Sequence, residues 1–133
     1  MEQSFEDFMK RRLAASTAFV EGSAKPLEEL SVTDAPASIF GPNGDVVRGS
    51  DAVNTANEKT AASFTSGGQN NFEILHMSAS GELAYWTGVQ RSKVTIKESG
   101  QLVPMALRVT ELFRKENGEW KLFHRHADKL KEA

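Results

Sequence analysis

The sequence predicts an α+β domain in which helices come first and a sheet follows. Apolar residues near the N-terminus recur at three- and four-residue steps, as on one face of a helix. From Phe72 onward the period changes to two, which is typical of strands. Turn residues divide this second half into four strands, so we expect helices packed against an antiparallel meander.

The first helix is predicted to begin after Ser4, a good N-cap, and to end at Gly22. The basic run Lys10-Arg11-Arg12 is interpreted as part of its solvated side. The apolar face of this helix is predicted to contain Phe5, Phe8, Met9, Leu13, Phe19 and Val20.

A short second helix is expected at Lys25-Pro26-Leu27, because proline is favourable at a first helical position. The turn cluster at 41–44 predicts two short strands, Ser38 to Phe40 and Val46 to Arg48. Ser50-Asp51 is predicted to cap a third helix that ends at Gly67-Gly68. The apolar face of that helix is expected to contain Val53, Ala56, Thr60 and Phe64.

The four long strands are expected to be joined by turns at Ser80-Gly81, Ser99-Gly100 and Asn117-Gly118. The whole chain, residues 1–133, is interpreted as a single domain, with no repeat and no linker.

Composition excludes several classes of function. The formal net charge is −2, from 16 Lys+Arg against 18 Asp+Glu, which disfavours nucleic-acid binding. There is no cysteine, so disulfides and thiolate sites are excluded. The longest apolar run is Leu83 to Trp86, so no membrane span is predicted. The N-terminus does not read as a secretory signal, and we expect a cytoplasmic protein.

One carboxylate interrupts the apolar row of the third long strand. The inward row of this strand is predicted to be Val103, Met105, Leu107, Val109, Glu111 and Phe113. A carboxylate on a buried row costs several kcal/mol unless it is paired or hydrated. Glu111 is therefore the candidate functional residue of this strand.

The last hairpin supplies a candidate partner for Glu111. With Asn117-Gly118 at the centre of a two-residue turn, Glu111 lies opposite His124 and Val109 opposite His126. Paired residues share a face, so Glu111 and His124 are predicted to be neighbours and to form an acid-base pair. On this interpretation, Glu111→Gln folds normally and abolishes turnover.

The register of the preceding strand leaves two alternatives. A turn centred on Ser99-Gly100 places Trp86 opposite Phe113 and Gly88 opposite Glu111, both facing inward. A bulge in the strand would bring Tyr85 and Thr87 inward instead.

The other face of the last hairpin carries an apolar pair. Leu112 is predicted opposite Phe123, and Thr110 opposite Arg125. We interpret this face, with Leu112, Phe123 and Arg125, as the surface of a homodimer. The alternative is that a helix or the C-terminal segment covers it.

Several motifs occur together in the second half of the chain: Gly-Glu-Leu-Ala-Tyr-Trp at 81–86 and the Arg-x-Thr, Asn-Gly-x-Trp and His-x-His-x-Asp pieces within 107–128. With the segment 38–49, they resemble the nuclear transport factor 2-like superfamily, in its SnoaL-like (ketosteroid isomerase-like) branch. The resemblance implies a cone-shaped, cystatin-like fold with three N-terminal helices packed against a strongly curved mixed or antiparallel sheet. It implies a pocket at the wide end and frequent dimerisation. The superfamily includes ketosteroid isomerases, cyclases, dehydratases and a kinase association domain, so the fold does not convey a reaction.

The sequence therefore predicts a pocket for a small molecule that is apolar with a polar group. Glu111 and His124 are the candidate catalytic residues for a cofactor-free isomerase, dehydratase or cyclase, and no cofactor or metal is expected. Candidate ligand-binding residues are Tyr85, Trp86, Thr87, Val109, His126 and Asp128.

Two alternatives to this interpretation stay open. The domain could be a non-catalytic assembly module with a vestigial pocket. His124, His126 and Glu111 could also form a two-histidine, one-carboxylate metal site.

Overall fold

The computed structural model describes residues 3–34 and 36–132 and has the predicted α+β architecture. Its elements in chain order are α1 (Phe5–Val20), α2 (Lys25–Glu29), β1 (Ser38–Phe40), β2 (Val46–Arg48), α3 (Ser50–Ala61), β3 (Phe64–Ser80), β4 (Leu83–Ile96), β5 (Leu102–Glu116) and β6 (Glu119–Lys129). The strands form one curved sheet in the order β2-β1-β6-β5-β4-β3. The meander of β3 to β6 is confirmed, and β1 is added parallel to β6.

Helix α1 begins as predicted, because the Ser4 hydroxyl accepts a hydrogen bond from the Asp7 amide at 3.1 Å. Its buried face differs from the prediction. Leu13 and Phe19 are only partly buried, whereas Ala15, Ser16 and Arg12 are buried, with Arg12 2% exposed. The assignment of Arg12 to the solvated side of the helix is therefore wrong.

Helix α3 is shorter than predicted at its C-terminal end. Gly49, not the Ser50-Asp51 pair, is the N-cap residue, and the helix ends at Ala61. Phe64 starts β3, and Gly67-Gly68 lie within that strand at a register shift. A Cβ at Gly68 would lie 2.8 Å from the Lys93 carbonyl oxygen, so glycine is needed there for close backbone approach rather than to end a helix.

The turn between β5 and β6 forms as predicted, but the strand pairing differs from the prediction after the pair Phe113–Leu122. Asn117 and Gly118 have φ values of 53° and 80°, as a two-residue hairpin turn of type I′ requires. Phe113 pairs with Leu122 as expected. The next pair is Leu112 with His124, because Phe123 is an extra residue in a bulge.

This bulge exchanges the two faces of β6 from His124 onward. Glu111 lies opposite Arg125, and Val109 opposite Ala127. The predicted pairs Glu111–His124, Val109–His126, Leu112–Phe123 and Thr110–Arg125 are therefore wrong. Arg125 lies on the inner face of the sheet, not on the outer one, since it hydrogen-bonds to buried Glu111.

The register between β4 and β5 differs from the prediction by two residues. Trp86 pairs with Glu111, and Gly88 with Val109, because the connection at 96–101 is longer than a two-residue turn. An even shift keeps the faces unchanged, so Trp86 is inside and the two alternatives for this strand are resolved.

The core lies between α1, α2 and the inner face of the sheet. It contains an aromatic cluster in which Phe8 packs edge-on to Phe113, with ring centroids 5.2 Å apart, and Phe5 packs against both rings. Trp86 stacks on Phe72 at 4.5 Å. In the part of the chain that the structure describes, no helix is long and apolar enough to span a membrane.

Candidate functional site

Glu111 is fully buried at the centre of the inner face of the sheet, and three residues donate hydrogen bonds to its carboxylate. Arg12 donates from Nε to Oε1 at 2.9 Å and from Nη2 to Oε2 at 2.7 Å. Trp86 donates from its indole nitrogen to Oε1 at 2.7 Å. Arg125 donates from Nη1 to Oε2 at 2.8 Å. These contacts replace the hydration that the carboxylate loses on burial.

Arg12 reaches Glu111 because it lies on the buried face of α1, four residues after Phe8 and three after Met9. Its guanidinium also lies over the ring of Phe72, 5.6 Å from the centroid. The third guanidinium nitrogen, Nη1, is buried and has no hydrogen-bond partner among the described residues.

Arg125 reaches Glu111 because the bulge at Phe123 turns it inward. Its Nη2 donates to Gln90 Oε1 at 2.7 Å. The side chain of Arg125 is 18% exposed, so one part of it remains accessible.

Two opposing effects set the pKa of Glu111. Burial raises it, but the charges of Arg12 and Arg125 and their hydrogen bonds outweigh burial and lower the pKa from 4.5 to about 2. Burial also lowers the pKa of Arg125, and the charge of Glu111 opposes that effect. At neutral pH the cluster contains two guanidinium cations and one carboxylate.

Gln90 extends this network toward β3. Its amide nitrogen donates to Ser16 Oγ at 3.1 Å and to Asn70 Oδ1 at 2.9 Å. Ser92 donates to the same Asn70 oxygen at 2.7 Å. The amide nitrogen of Asn70 is buried without a partner among the described residues.

A cavity of about 170 Å³ lies beside this network, and we call it the cone cavity. Its polar walls are Arg12, Ser16, Gln90 and Arg125, together with Asn57 and Thr60 of α3. Its remaining lining is Phe19, Val20, Leu27, Ile39, Phe40, Gly41, Pro42, Phe64, Met105, Leu107 and Ala127. The cavity is therefore apolar over most of its wall and cationic at one end.

His124 does not contact Glu111, because the bulge places it on the other face of β6. Its Nδ1 lies 2.8 Å from the Ser38 hydroxyl, and its ring packs edge-on to Phe40 at 4.7 Å. Burial, and then the charge of His126, lower the pKa of His124 below its usual 6.5. This shift favours the neutral form of the ring.

The predicted ligand-binding residues are distributed over both faces of the sheet. Trp86 and Val109 are inner core residues, 0% and 2% exposed. Tyr85 and Thr87 lie on the outer face, where Tyr85 bonds His76 at 2.7 Å and Thr87 bonds Thr110 at 2.8 Å.

His126 and Asp128 also lie on the outer face of the sheet. The His126 ring is half exposed and lies 3.7 Å from the Asp128 carboxylate. Arg108 forms a bidentate pair with the same carboxylate at 2.6 and 2.8 Å. The structure therefore brings none of Tyr85, Thr87, His126 and Asp128 to the cone cavity.

Within residues 3–34 and 36–132, no three histidine or carboxylate side chains are grouped as a metal site would require. Glu111 lies inside the sheet and His124 and His126 outside it, so the alternative metal triad is not assembled. The residues that sequence reasoning missed are Arg12, Arg125 and Gln90. For Arg12 a signal existed, namely its spacing on the apolar face of α1.

The fold, a curved sheet that encloses a cavity and is closed by N-terminal helices, is consistent with the result of a comparison with protein families. The profile of the SnoaL-like domain matches residues 13–127. The chain belongs to the SnoaL-like domain family. A search of curated protein sequences finds no significant match.

Solved structures with the same fold include proteins of several described roles. One is a candidate dehydratase of the nuclear transport factor 2-like family from Streptomyces avermitilis, with TM-score 0.80, 23% identity and 96% coverage of both chains. A ketosteroid isomerase-like protein from Erwinia carotovora atroseptica has TM-score 0.74 and 19% identity, covering 93% of this chain and 94% of that one.

A third structure, the calcium/calmodulin-dependent kinase II hub homology domain of Chlamydomonas reinhardtii, has TM-score 0.73 and 17% identity, with coverage of 95% and 98%. At these identities the likenesses confirm the SnoaL-like fold and do not transfer an activity.

Proposed function

We propose that this SnoaL-like domain binds a small organic molecule in the cone cavity. The observation that carries the proposal is the cavity itself, about 170 Å³ with apolar walls and a few convergent polar groups. Apolar walls with a few polar groups are typical of a ligand site, since the walls supply affinity and the polar groups fix orientation. The volume is below that of a site for a drug-sized molecule, so it limits the ligand to a small one. Family membership supports the proposal, because the cavity lies inside the curved sheet of that fold.

The geometry favours binding over proton transfer by Glu111. A group with a pKa of about 2 is a weak proton acceptor near neutral pH. Both oxygens of its carboxylate already accept two hydrogen bonds each. In this proposal Glu111 is a positioning residue that orients Arg12 and Arg125, and isomerase, dehydratase or cyclase chemistry through a Glu111–His124 pair is the less favoured alternative.

We also propose that the outer face of the sheet mediates self-assembly, as the second candidate role. Tyr85, Thr87 and Leu112 lie on that face and are only partly exposed in the single chain. The structural neighbour that is named as a kinase hub homology domain supports an assembly role for this fold.

A cavity-filling variant tests the binding proposal. Met105 is partly buried in the cavity wall, so Met105→Trp should fill space that a ligand needs. Leu102→Trp is the matched control, since Leu102 lies on the same strand, is 51% exposed and does not line the cavity.

The probe is benzyl alcohol, and the readout is the backbone amide NMR signals of Leu107 and Ala127. The proposal predicts saturable shifts in the wild type and in Leu102→Trp that are lost in Met105→Trp. Shifts that persist unchanged in Met105→Trp, or the absence of saturable shifts in the wild type, would contradict it.

A further inference from the structure

We propose that the ligand of the cone cavity is a small monocarboxylate, anchored at its carboxylate by the Arg12–Arg125 end of the cavity. This inference rests on the proposed function, because it specifies the ligand of the same site. Three independent features of the cavity carry it: its charge, its balance of hydrogen-bond donors and acceptors, and its size.

The charge at the polar end is positive. Arg12 and Arg125 share the single carboxylate of Glu111, and no second carboxylate contacts either guanidinium among the described residues. Arginine stays protonated in proteins, so the cluster has one excess positive charge. An unbalanced charge that is removed from water is costly, and a bound monoanion would neutralise it.

The same end of the cavity has too few acceptors. Arginine has five N–H donors and no acceptor, and both oxygens of Glu111 are already occupied. Arg12 lines the cavity, and its Nη1 is buried without an acceptor among the described residues. A buried donor without a partner costs about 1–3 kcal/mol, so an acceptor supplied by a ligand would be favourable. A planar carboxylate is the acceptor that matches guanidinium geometry.

The size of the cavity limits the rest of the ligand. A cavity of roughly 150 Å³ accommodates a benzene molecule, and this one measures about 170 Å³. The apolar wall includes the rings of Phe19 and Phe64, which pack edge-on with centroids 6.3 Å apart. An aromatic or compact aliphatic body attached to one carboxylate, of roughly nine non-hydrogen atoms in total, is the class of molecule that fits.

Benzoate, benzamide and benzyl alcohol form a matched set of probes, because they share one ring and differ in charge and polar group. Their dissociation constants are measured by NMR titration of the full chain at fixed ionic strength and pH 7. We expect benzoate to bind at least about tenfold more tightly than benzamide, as a charge-assisted hydrogen bond of the usual strength implies. We expect Arg125→Gln to abolish that ratio.

Arg125→Gln leaves Arg12 paired with Glu111 and so removes the excess charge without leaving a carboxylate unpaired. Arg125→Lys keeps the charge and should retain a preference for benzoate, which also covers the case in which the glutamine variant does not fold. The matched control is Arg11→Gln, because Arg11 is exposed and adjacent to Arg12 on α1.

The outcomes separate this inference from the proposed function. Equal affinity for the three probes, or a benzoate preference that survives in Arg125→Gln, would overturn the carboxylate inference and leave the cavity as a binding site. Failure of all three probes to bind would overturn both. A benzoate preference that is lost in Arg125→Gln but kept in Arg125→Lys and Arg11→Gln would support both.

Discussion

Glu111 lies on the apolar row of β5, and its charge is balanced by side chains from two distant segments of the chain. Arg12 comes from α1 and Arg125 from β6, so the carboxylate links the first helix to the last strand. Trp86 completes the set of donors. Such a cluster does not by itself imply high stability, because desolvation offsets much of the Coulomb attraction. Removal of Glu111, however, leaves both guanidinium groups without a counter-ion.

The cluster predicts a loss of stability in acid. The pKa of Glu111 is lowered in the folded protein to about 2, against 4.5 ordinarily, so its stabilising contribution is present above pH 4.5 and is lost as the pH falls toward 2. We expect the free energy of unfolding in urea to fall by about 3 kcal/mol more in the wild type than in Glu111→Gln between pH 5 and pH 2. Parallel pH profiles for the two proteins would show that Glu111 does not contribute this dependence.

Neutralising Glu111 should strongly lower the free energy of unfolding at pH 7. Glu111→Gln leaves the buried Arg12 and the partly buried Arg125 without a counter-ion, and loss of one partner in a buried ion pair typically costs 3–5 kcal/mol. Urea denaturation measures the effect. The control is Glu73→Gln, since Glu73 is 53% exposed and pairs with Arg91 at the surface, where about 1 kcal/mol or less is expected. Equal effects of the two substitutions would contradict the account.

The sequence alone leads to the opposite expectation for Glu111→Gln, and the difference shows what residue patterns can predict. The inward direction of Glu111 follows from the alternation of β5 and is confirmed. The burial of Arg12 could have been predicted from its spacing after Phe8 and Met9, but its place in the Lys10-Arg11-Arg12 run suggested a solvated side. Nothing in the local pattern indicates that Arg125 would point inward.

At the level of elements, the bulge in β6 decides which side chains reach the cavity. Asn117-Gly118 correctly predicts the turn and the first pairs of the hairpin. The extra residue Phe123 then moves Arg125 inward and His124 outward. Alternation within one strand does not reveal a bulge, so the inward position of Arg125 could not be predicted from the sequence.

Gly88 of β4 lies against the bulged part of β3. A Cβ on Gly88 would lie 2.1 Å from the Glu73 carbonyl oxygen and 3.0 Å from the Leu75 amide nitrogen. Gly88→Ala must therefore displace the backbone of β3. We expect thermal and urea denaturation to show that the free energy of unfolding falls by about 1–3 kcal/mol. Gly41→Ala is the control, since its Cβ would meet only the flexible Asn43 side chain at 3.3 Å. A smaller effect at Gly88 than at Gly41 would contradict the observed close approach of the two strands.

At the scale of the whole molecule, the curved sheet has two faces with different surroundings. The inner face forms the core and the cone cavity, while the outer face presents Tyr85, Thr87 and Leu112. The sequence predicted this division and the SnoaL-like fold, because the meander, the turns and the family motifs are all local features. It predicted Glu111 opposite His124, and that pairing is wrong because it depends on one bulge in β6.

If the outer face mediates self-assembly, a charged side chain on that face should weaken the assembly. A carboxylate placed at Leu112 should disfavour burial of this face against a second copy, so we expect Leu112→Glu to be monomeric where the wild type is a dimer. Light scattering after size-exclusion chromatography measures the mass. Leu102→Glu is the control, because Leu102 is 51% exposed at the start of β5. A wild-type monomer, or a Leu112→Glu dimer, would contradict the assignment of the outer face.

The central claim is that the paired guanidinium groups of Arg12 and Arg125 form the polar end of a ligand site. The most direct test is an NMR titration with benzoate that follows the arginine side-chain Nε–H signals. The account predicts saturable shifts for Arg12 and Arg125, with Arg11 and Arg114 unmoved. Saturable shifts confined to outer-face residues such as Thr87 and Thr110, with the signals of Arg12 and Arg125 unchanged, would contradict it.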